Sequence, residues 1–158
     1  MLKNNYHVSS EKVSDCKDYR DFEDNYEPFG YNYIHWEEKV PRFEGKYLFD
    51  EKITTTWKPE KPLNEWINMV FPKKEIKKIQ IFAGNGQSDE LYYDNNRVKE
   101  MRLEFSNGKS FNVKLADKKE MQGISIEPIE TEFIRFVIID IYKGNKYNDT
   151  CISELKIE

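Results

Sequence analysis

Apolar and polar residues alternate along most of the chain after residue 46, which is typical of short strands that bury one face. The clearest example is a pair of runs, residues 101–105 and 111–115, in which every second side chain is apolar. The Ser-Asn-Gly-Lys sequence between them, at residues 106–109, is typical of a tight turn. The pattern therefore predicts a β-hairpin here.

Further strands are predicted on both sides of this hairpin. Pro72 and Pro128 are expected to end two of them, and a slip in the alternation at Ser153 and Glu154 suggests a bulge. The predicted strands are residues 6–10, 65–71, 76–81, 124–126, 133–142 and 152–157. About eight short strands with almost no helical periodicity predict an all-β fold, an antiparallel β-sandwich or jelly roll.

The first 45 residues lack this regular pattern. After the first edge strand comes an acidic segment rich in aromatic residues, with a short helix predicted near residues 13–22. Such a segment is expected to form an irregular loop that packs on the body of the domain. Trp36 is the best candidate for an exposed ring in it, whereas Trp57 and Trp66 are expected in the core. We expect one domain over residues 1–158, because no second core is visible.

Composition and charge exclude some classes of function. Hydrophobic residues make up 38% and aromatic residues 15% of the 158 residues, enough for a core that depends on Tyr, Phe and Trp. Charged residues make up 34%, with a net charge of −4. A mildly acidic surface argues against nucleic-acid binding, which needs a basic face. No apolar run approaches the roughly 20 residues of a membrane span, and residues 1–5 do not form a signal peptide.

The two cysteines, Cys16 and Cys151, fit no metal-binding pattern. A disulfide between them would close nearly the whole chain and, in the chain-entropy model, would stabilise it by about 4–5 kcal/mol. In a reducing compartment they would instead be two free thiols. The sequence leaves both alternatives open.

The polar segment 49–57 is the first candidate for a site. Asp50, Thr55 and the loop carbonyls, that of Lys52 among them, are hard oxygen donors within a few residues of one another. Ca²⁺ binds six to eight such oxygens at roughly 2.3–2.6 Å. Phe49 and Trp57 would bury on either side of this loop and fix its shape. The alternative is an ordinary polar turn between two strands.

A family resemblance favours the metal. Asp50, Thr55 and Trp57 are similar in spacing to the Asp-Gly-x-x-x-Thr-x-Trp signature of discoidin-like, galactose-binding-like β-sandwiches, which include many carbohydrate-binding modules. The resemblance implies a structural Ca²⁺, with a Glu near the C-terminus closing the shell. Its implied ligands are Asp50, Lys52, Thr55 and Glu154. The family Gly after the Asp is Glu51 here, and a positive φ at that position would strain Glu51.

Two longer segments resemble one particular group of these discoidin-like domains. Residues 85–99 and 140–154 are similar to the discoidin-type jelly-roll domain of secreted bacterial NAD glycohydrolases, also called the glycan-binding or translocation domain. The likeness runs from about Tyr47 to Glu158, and Val8-Ser9-Ser10 matches the first strand. It implies a non-catalytic carbohydrate- or surface-binding module of an exported bacterial protein whose leader has been removed. A protein-interaction or translocation module without a sugar ligand is the alternative function, and an intracellular protein is the alternative setting.

The first of these segments carries the candidate ligand site, on a loop expected between two strands. Tyrosine faces stack on sugar rings, and Asn and Arg side chains bond to hydroxyl groups. The candidates are Tyr92, Tyr93, Asn95, Asn96 and Arg97, together with Trp36 of the N-terminal segment. The structural alternative is that Asn96 and Arg97 hold the loop through backbone carbonyls and that Tyr92 belongs to the core.

Catalysis is not expected. The only histidines are His7 and His35, and neither a His-Glu-x-x-His nor a Gly-x-Ser-x-Gly motif is present. The Gly-Asn-Gly sequence at residues 84–86 lacks the Lys of a phosphate-binding loop. The expected partner is a glycan or another cell-surface component, or else a protein that contacts the aromatic residues of the loops.

Overall fold

The computed structural model describes residues 5–13 and 42–158. This part of the chain contains a 3₁₀ helix at Gly45–Phe49 and an α-helix, α1, at Asp89–Asp94. Its strands are β1 (Asn5–Val8), β2 (Lys12–Val13), β3 (Arg42–Phe43), β4 (Trp66–Phe82), β5 (Asn96–Phe105), β6 (Ser110–Lys114), β7 (Gln122–Tyr142), β8 (Thr150–Cys151) and β9 (Glu154–Ile157). The pairings are antiparallel except for that of β5 with β8, so the all-β prediction is confirmed.

Two long strands, β4 and β7, connect the two layers of the sandwich. They pair with each other, but the register shifts between Val70 and Lys74 and again between Ile76 and Lys78. β1, the first half of β4, the second half of β7, β5 and β6 lie side by side in a five-stranded layer. The second half of β4, the first half of β7 and β9 form the other layer. Bulges bend a strand, which lets each long strand pass from one layer to the other.

Neither proline in these strands ends its strand, so both predicted ends are wrong. Pro72 lies inside the first register shift of β4. Pro128 lies opposite the second shift, between Ser125 and Ile129 of β7. Residues in a bulge are left unpaired, so a proline there removes no hydrogen bond from the ladder. The predicted ends are therefore bends inside longer strands.

The predicted hairpin is confirmed. β5 and β6 pair from Glu100 opposite Lys114 to Glu104 opposite Ser110. In the turn, the Gly108 N–H donates to the Phe105 carbonyl at 3.0 Å, and Gly108 has a φ of 83°. That left-handed conformation is one that glycine adopts without strain.

The core between the layers is mostly aliphatic, although the composition suggested one that depends on Tyr, Phe and Trp. Trp57, Tyr92 and Phe136 have no exposed surface. Trp57 and Phe136 belong to one core cluster with aliphatic side chains from both layers, among them Ile67, Met69, Ile76, Ile79, Ile81, Met101, Leu103 and Ile134. Trp66 precedes the inward-facing Ile67 on β4, so it faces outward and is only half-buried. The prediction of a core position is thus confirmed for Trp57 and wrong for Trp66.

The N-terminal residues dock on this body. β1 is an edge strand against β4, as predicted, and the Trp57 indole N–H donates to the Ser10 carbonyl at 2.9 Å. The helix predicted near residues 13–22, the candidate ring of Trp36 and the sulfur of Cys16 lie outside the described residues. A single domain over residues 1–158 stays a prediction.

Cys151 is a free thiol buried in β8, and burial raises its pKa to about 12. A thiol with so high a pKa is almost entirely protonated near neutral pH, and it is unreactive because the thiolate is the nucleophile. Neither helix in the two described ranges has the length and apolarity that a membrane crossing needs.

Candidate functional site

The polar loop that follows the 3₁₀ helix folds around the Asp50 carboxylate. That carboxylate accepts hydrogen bonds from the Lys52 N–H at 3.0 Å and from Thr55 Oγ1 at 2.7 Å. Thr55 Oγ1 also lies 3.0 Å from the Lys52 carbonyl oxygen. Glu51 has a φ of 62°, which is a costly conformation for a residue with a Cβ atom. The loop therefore needs the positive φ that a glycine at this position would supply.

Glu154, the first residue of β9, lies against this loop. It is 2% exposed, and its Oε2 atom is buried without a hydrogen-bond partner among the described residues. Burial raises the pKa of the Glu154 carboxyl to about 7. Lys156 opposes this rise and the charge of Asp50 adds to it, while the N–H groups of Lys52 and Glu51 act to lower the pKa. The influences of Asp50, Glu51 and Lys52 come from the loop itself, so Glu154 and Asp50 are neighbours.

The three side chains and the one carbonyl predicted to bind calcium thus lie together. Asp50 and Glu154 supply carboxylates, Thr55 a hydroxyl group and Lys52 a carbonyl, all of them hard oxygen donors. A buried carboxylate beside a second carboxylate is costly unless a proton or a cation neutralises it. Within the described ranges no three His, Cys, Asp or Glu side chains cluster as a metal site. Neutral oxygens would therefore have to complete the shell, and calcium binding here stays a prediction.

The candidate ligand residues 92–97 lie at the end of α1 and the start of β5, and not on a loop as predicted. Ser88 caps the helix by accepting the Leu91 N–H on its Oγ at 3.0 Å. Tyr92 points into the core, and its ring meets the Tyr93 ring edge-on at 5.1 Å. The buried ring of Tyr92 has no free face for a sugar, which supports the structural alternative for this residue.

Arg97 is buried and joins three segments. Its Nε and Nη2 donate to the two carboxylate oxygens of Asp117 at 3.0 and 2.6 Å. Its Nη1 donates to the carbonyls of Asn95 and Lys143, both at 3.1 Å. The guanidinium carbon lies 5.6 Å from the centre of the Tyr93 ring, and the hydrogen bond to Asp117 raises the pKa of Arg97. Arg97 therefore acts as a frame for the backbone around Tyr93.

Asn95 and Asn96 are buried beside it. Asn95 Nδ2 donates to a backbone carbonyl of α1 at 2.8 Å, and Asn96 Oδ1 accepts the Gly144 N–H at 2.8 Å. A Cβ atom on Gly144 would lie 2.2 Å from the Asp94 carbonyl oxygen, so this close approach requires glycine. These contacts fix loop 143–149 against α1, and we call the surface that α1 and this loop form the tip.

Two tyrosines are exposed at the tip. Tyr93 is 47% exposed and Tyr147 is 41% exposed. The Tyr147 N–H donates to the Asp94 carbonyl at 2.8 Å, and the Asn145 N–H donates to the Tyr93 carbonyl at 2.9 Å, so the two rings rise from adjacent backbone. Lys146 Nζ lies 5.1 Å from the centre of the Tyr147 ring. Of the candidate ligand residues that the structure describes, only Tyr93 is exposed, and Tyr147 was missed.

A sequence model of the family described as NAD glycohydrolase translocation F5/8 type C domain matches residues 32–158. No curated protein matches the chain in sequence. The fold is similar to the family 32 carbohydrate-binding module of Clostridium perfringens NanJ in complex with galactose, with a TM-score of 0.61 and 14% identity over 98% of this chain and 92% of that one.

Two further solved structures share the fold. One is the Clostridium perfringens module CpGH89CBM32-5 in complex with GalNAc-β-1,3-galactose, with a TM-score of 0.63 and 12% identity over 98% of this chain and 94% of that one. The other is a pectin-binding carbohydrate-binding module, with a TM-score of 0.58 and 13% identity over 98% of this chain and 88% of that one. At such identities the likeness shows a common architecture, the antiparallel β-sandwich.

Proposed function

The chain belongs to the NAD glycohydrolase translocation F5/8 type C domain family, and from that premise we propose that it is a non-catalytic module that binds a glycan or another surface component. Solved structures with the same fold include modules in complex with galactose and with GalNAc-β-1,3-galactose, which supports a sugar as the ligand. The setting that we propose is an exported bacterial protein.

The observation that carries this proposal is the pair of exposed tyrosines on a buried frame. Tyr93 and Tyr147 present their rings to solvent from adjacent backbone, while Arg97 and Gly144 hold that backbone in place. Tyrosine rings give a large contact area with few rotatable bonds, so they lose little entropy when they stack on a ligand. A frame that is fixed before the ligand arrives lowers the cost of binding further.

A glycan array followed by titration of the best ligand tests the proposal. Tyr93→Ala and Tyr147→Ala are each expected to weaken binding about tenfold or more, because an aromatic anchor at the centre of a contact contributes more than 1 kcal/mol. Tyr47→Ala is the matched control, since Tyr47 is a partly exposed tyrosine on the 3₁₀ helix and not at the tip. Absence of binding to any glycan, or binding that survives both tip substitutions, would contradict the proposed site.

We further propose that Ca²⁺ braces loop 50–55. Asp50, Glu154, Thr55 and the Lys52 carbonyl would hold the ion, whose charge would neutralise the two neighbouring carboxylates. The buried Glu154 Oε2, which has no hydrogen-bond partner within residues 5–13 and 42–158, supports this assignment. An ion that binds only the native state must raise its stability, so a higher melting temperature is expected with Ca²⁺ than with a chelator or with Mg²⁺. Identical melting temperatures in the three conditions would contradict calcium binding.

The family description favours a second function, a protein-interaction module used in translocation. Exposed aromatic residues anchor protein partners as readily as sugars, so the same two tyrosines would make the contact. A purified partner whose binding is lost in Tyr93→Ala, and with which free sugars do not compete, would favour this function over glycan binding.

The proposal assigns recognition and no chemistry to this chain. The purified protein is therefore expected to consume no NAD⁺, which a fluorescence assay of the nucleotide measures. Turnover of NAD⁺ by the chain would contradict a non-catalytic module.

A further inference from the structure

The five-stranded layer has a second surface, away from the tip, that carries unsatisfied polar groups. Directly opposed residues form a row across its strands, from β1 to β6: His7, Asn68, Arg135, Glu104 and Ser110. The next row holds Trp66, Val137, Arg102 and Asn112. Side chains alternate along a strand, and the intervening Ile67, Leu103 and Phe136 are buried in the core. The two rows therefore point outward, and we call this surface the outer face.

Arg135 lies at the centre of the outer face without an ion-pair partner among the described residues. Glu104 is directly opposite on β5, but its carboxylate is bonded to Arg102 Nε at 2.8 Å. The guanidinium carbon of Arg135 lies 4.9 Å from the centre of the Trp66 ring. Stacking of this kind fixes the plane of a guanidinium and leaves its outer nitrogens available. The outer face thus presents an oriented positive charge.

Two buried atoms beside this charge also lack hydrogen-bond partners in the described part of the chain. One is a donor, Arg135 Nε, and the other is an acceptor, Asn68 Oδ1. The two residues are directly opposed across β4 and β7. Neither atom is accessible to solvent, so a ligand on the outer face contacts Arg135 through its terminal nitrogens and not through Nε. In the neighbouring row, Val70 and the half-buried Phe133 supply apolar surface.

We propose that the outer face binds a glycan that carries a carboxylate, such as an oligosaccharide of a uronic acid. The sugar carboxylate pairs with the terminal nitrogens of Arg135, because a guanidinium and a carboxylate form two parallel hydrogen bonds. The ring carbons of the sugar lie on Val70 and Phe133. The inference rests on the proposed glycan-binding function and names the class of sugar, since an unpaired cation complements an anionic ligand and gains nothing from a neutral one.

The test is calorimetric titration of the whole chain with oligosaccharides of galacturonic, glucuronic and mannuronic acid, each compared with its methyl ester. The ester keeps the sugar and removes the charge, so at least one acid is expected to bind about tenfold more tightly than its ester. Arg135→Gln is expected to reduce the affinity for that acid to the affinity for the ester. Arg135→Lys keeps the charge but loses the planar fork, and an intermediate affinity is expected.

Lys114→Gln is the matched control, because Lys114 lies on the same face, on β6, and its loss changes the net charge equally. This variant is expected to bind within about twofold of the parent, as exposed charges are screened by salt. A nuclear magnetic resonance titration locates the ligand: the Arg135 Nε–H and Trp66 indole N–H signals should move, and the Tyr93 signals should not. The same spectra show whether each variant is folded.

The outcomes separate this inference from the function on which it rests. Equal affinity for every acid and its ester, or acid binding that Arg135→Gln leaves unchanged, overturns the acidic-glycan site. If neutral glycans still bind and Tyr93→Ala removes that binding, the proposed glycan-binding function stands without the acidic-glycan site. An acid preference that is lost in Tyr93→Ala and kept in Arg135→Gln would move the acidic site to the tip and overturn the inference.

Discussion

Glu51 shows how one backbone angle constrains the loop around Asp50. The residue has a φ of 62°, and its only ion pair in the described ranges is an exposed one with Lys156 at 4.0 Å. Exposed pairs at such a distance contribute little to stability. The Glu51 side chain therefore makes almost no stabilising contact that offsets the strain. The carboxylate of Asp50 and the hydroxyl of Thr55 hold the strained conformation in place.

Glu51→Gly is expected to stabilise the protein. Removing the Cβ atom relieves about 1–2 kcal/mol of left-handed strain, while the freer unfolded chain costs about 0.4–1 kcal/mol, which leaves a net gain of about 0.5–1 kcal/mol. Urea unfolding measures it. Lys52→Gly is the control, because Lys52 is also exposed but does not have a positive φ. That substitution should only destabilise, and equal effects of the two would refute the strain argument.

The tyrosine pair at residues 92 and 93 shows where sequence reasoning about the site stops. The two residues are consecutive and identical, yet Tyr92 is buried and Tyr93 is 47% exposed. The difference follows from α1, which turns one ring into the core and the next outward. A helix of six residues is too short to give a periodic signal, so the sequence predicted a loop with both rings as ligand candidates and gave a core position for Tyr92 only as the alternative. Tyr147 was missed because it is one aromatic residue in a polar loop.

The elements of the tip hold each other through ion pairs that differ in burial. Arg97 Nη2 and Asp117 lie 2.6 Å apart, with 7% of the Arg97 side chain exposed. Lys119 and Asp89 are also 2.6 Å apart, but 85% of the Asp89 side chain is exposed. The first pair joins β5 to the 115–121 segment from inside, and the second joins α1 to the same segment at the surface. The two ion pairs have the same length, so we expect the difference in burial to determine which pair contributes more to stability.

Asp117→Asn is expected to destabilise the fold by about 2 kcal/mol, between the cost of breaking a buried pair and that of breaking an exposed one. The amide nitrogen of Asn would face the Arg97 donors, and the buried guanidinium would lose its counter-charge. Lys119→Gln breaks the exposed pair and should cost no more than about 0.5 kcal/mol. Urea midpoints at a constant slope measure both values. Equal losses would mean that burial does not set the strength of these contacts.

The fold as a whole depends on the two bent strands, β4 and β7. The sequence predicted the halves of each as separate strands and did not predict that they are continuous. The alternation at residues 101–115 is local, so the hairpin could be predicted. The continuity of β4 through Pro72 is not local, because it depends on which residues of β7 lie opposite the bulge. A proline inside a predicted strand ordinarily ends it. The number of layers was therefore predictable, whereas the path of the chain between them was not.

The C-terminal strand ties this sandwich to the loop around Asp50, so the protonation of Glu154 should affect global stability. Without calcium, the folded protein keeps the Glu154 proton up to about pH 7, whereas the unfolded chain releases it near its ordinary pKa of 4.5. The folded state thus binds more protons between these values. The contribution of Glu154 to stability is then fully present below about pH 4.5 and is lost as the pH rises through about 7.

Calcium should compensate for that loss, because it binds the ionised carboxylate. Its stabilising effect, measured as the rise in melting temperature over a chelator control, should therefore be small at about pH 5 and larger at about pH 8. Glu154→Gln cannot ionise, so it should abolish both the pH-dependent loss and most of the calcium effect. Glu127→Gln, which removes an exposed carboxylate of β7, should keep both. A calcium effect of the same size at the two pH values, or one that Glu154→Gln leaves intact, would show that Glu154 is not a ligand.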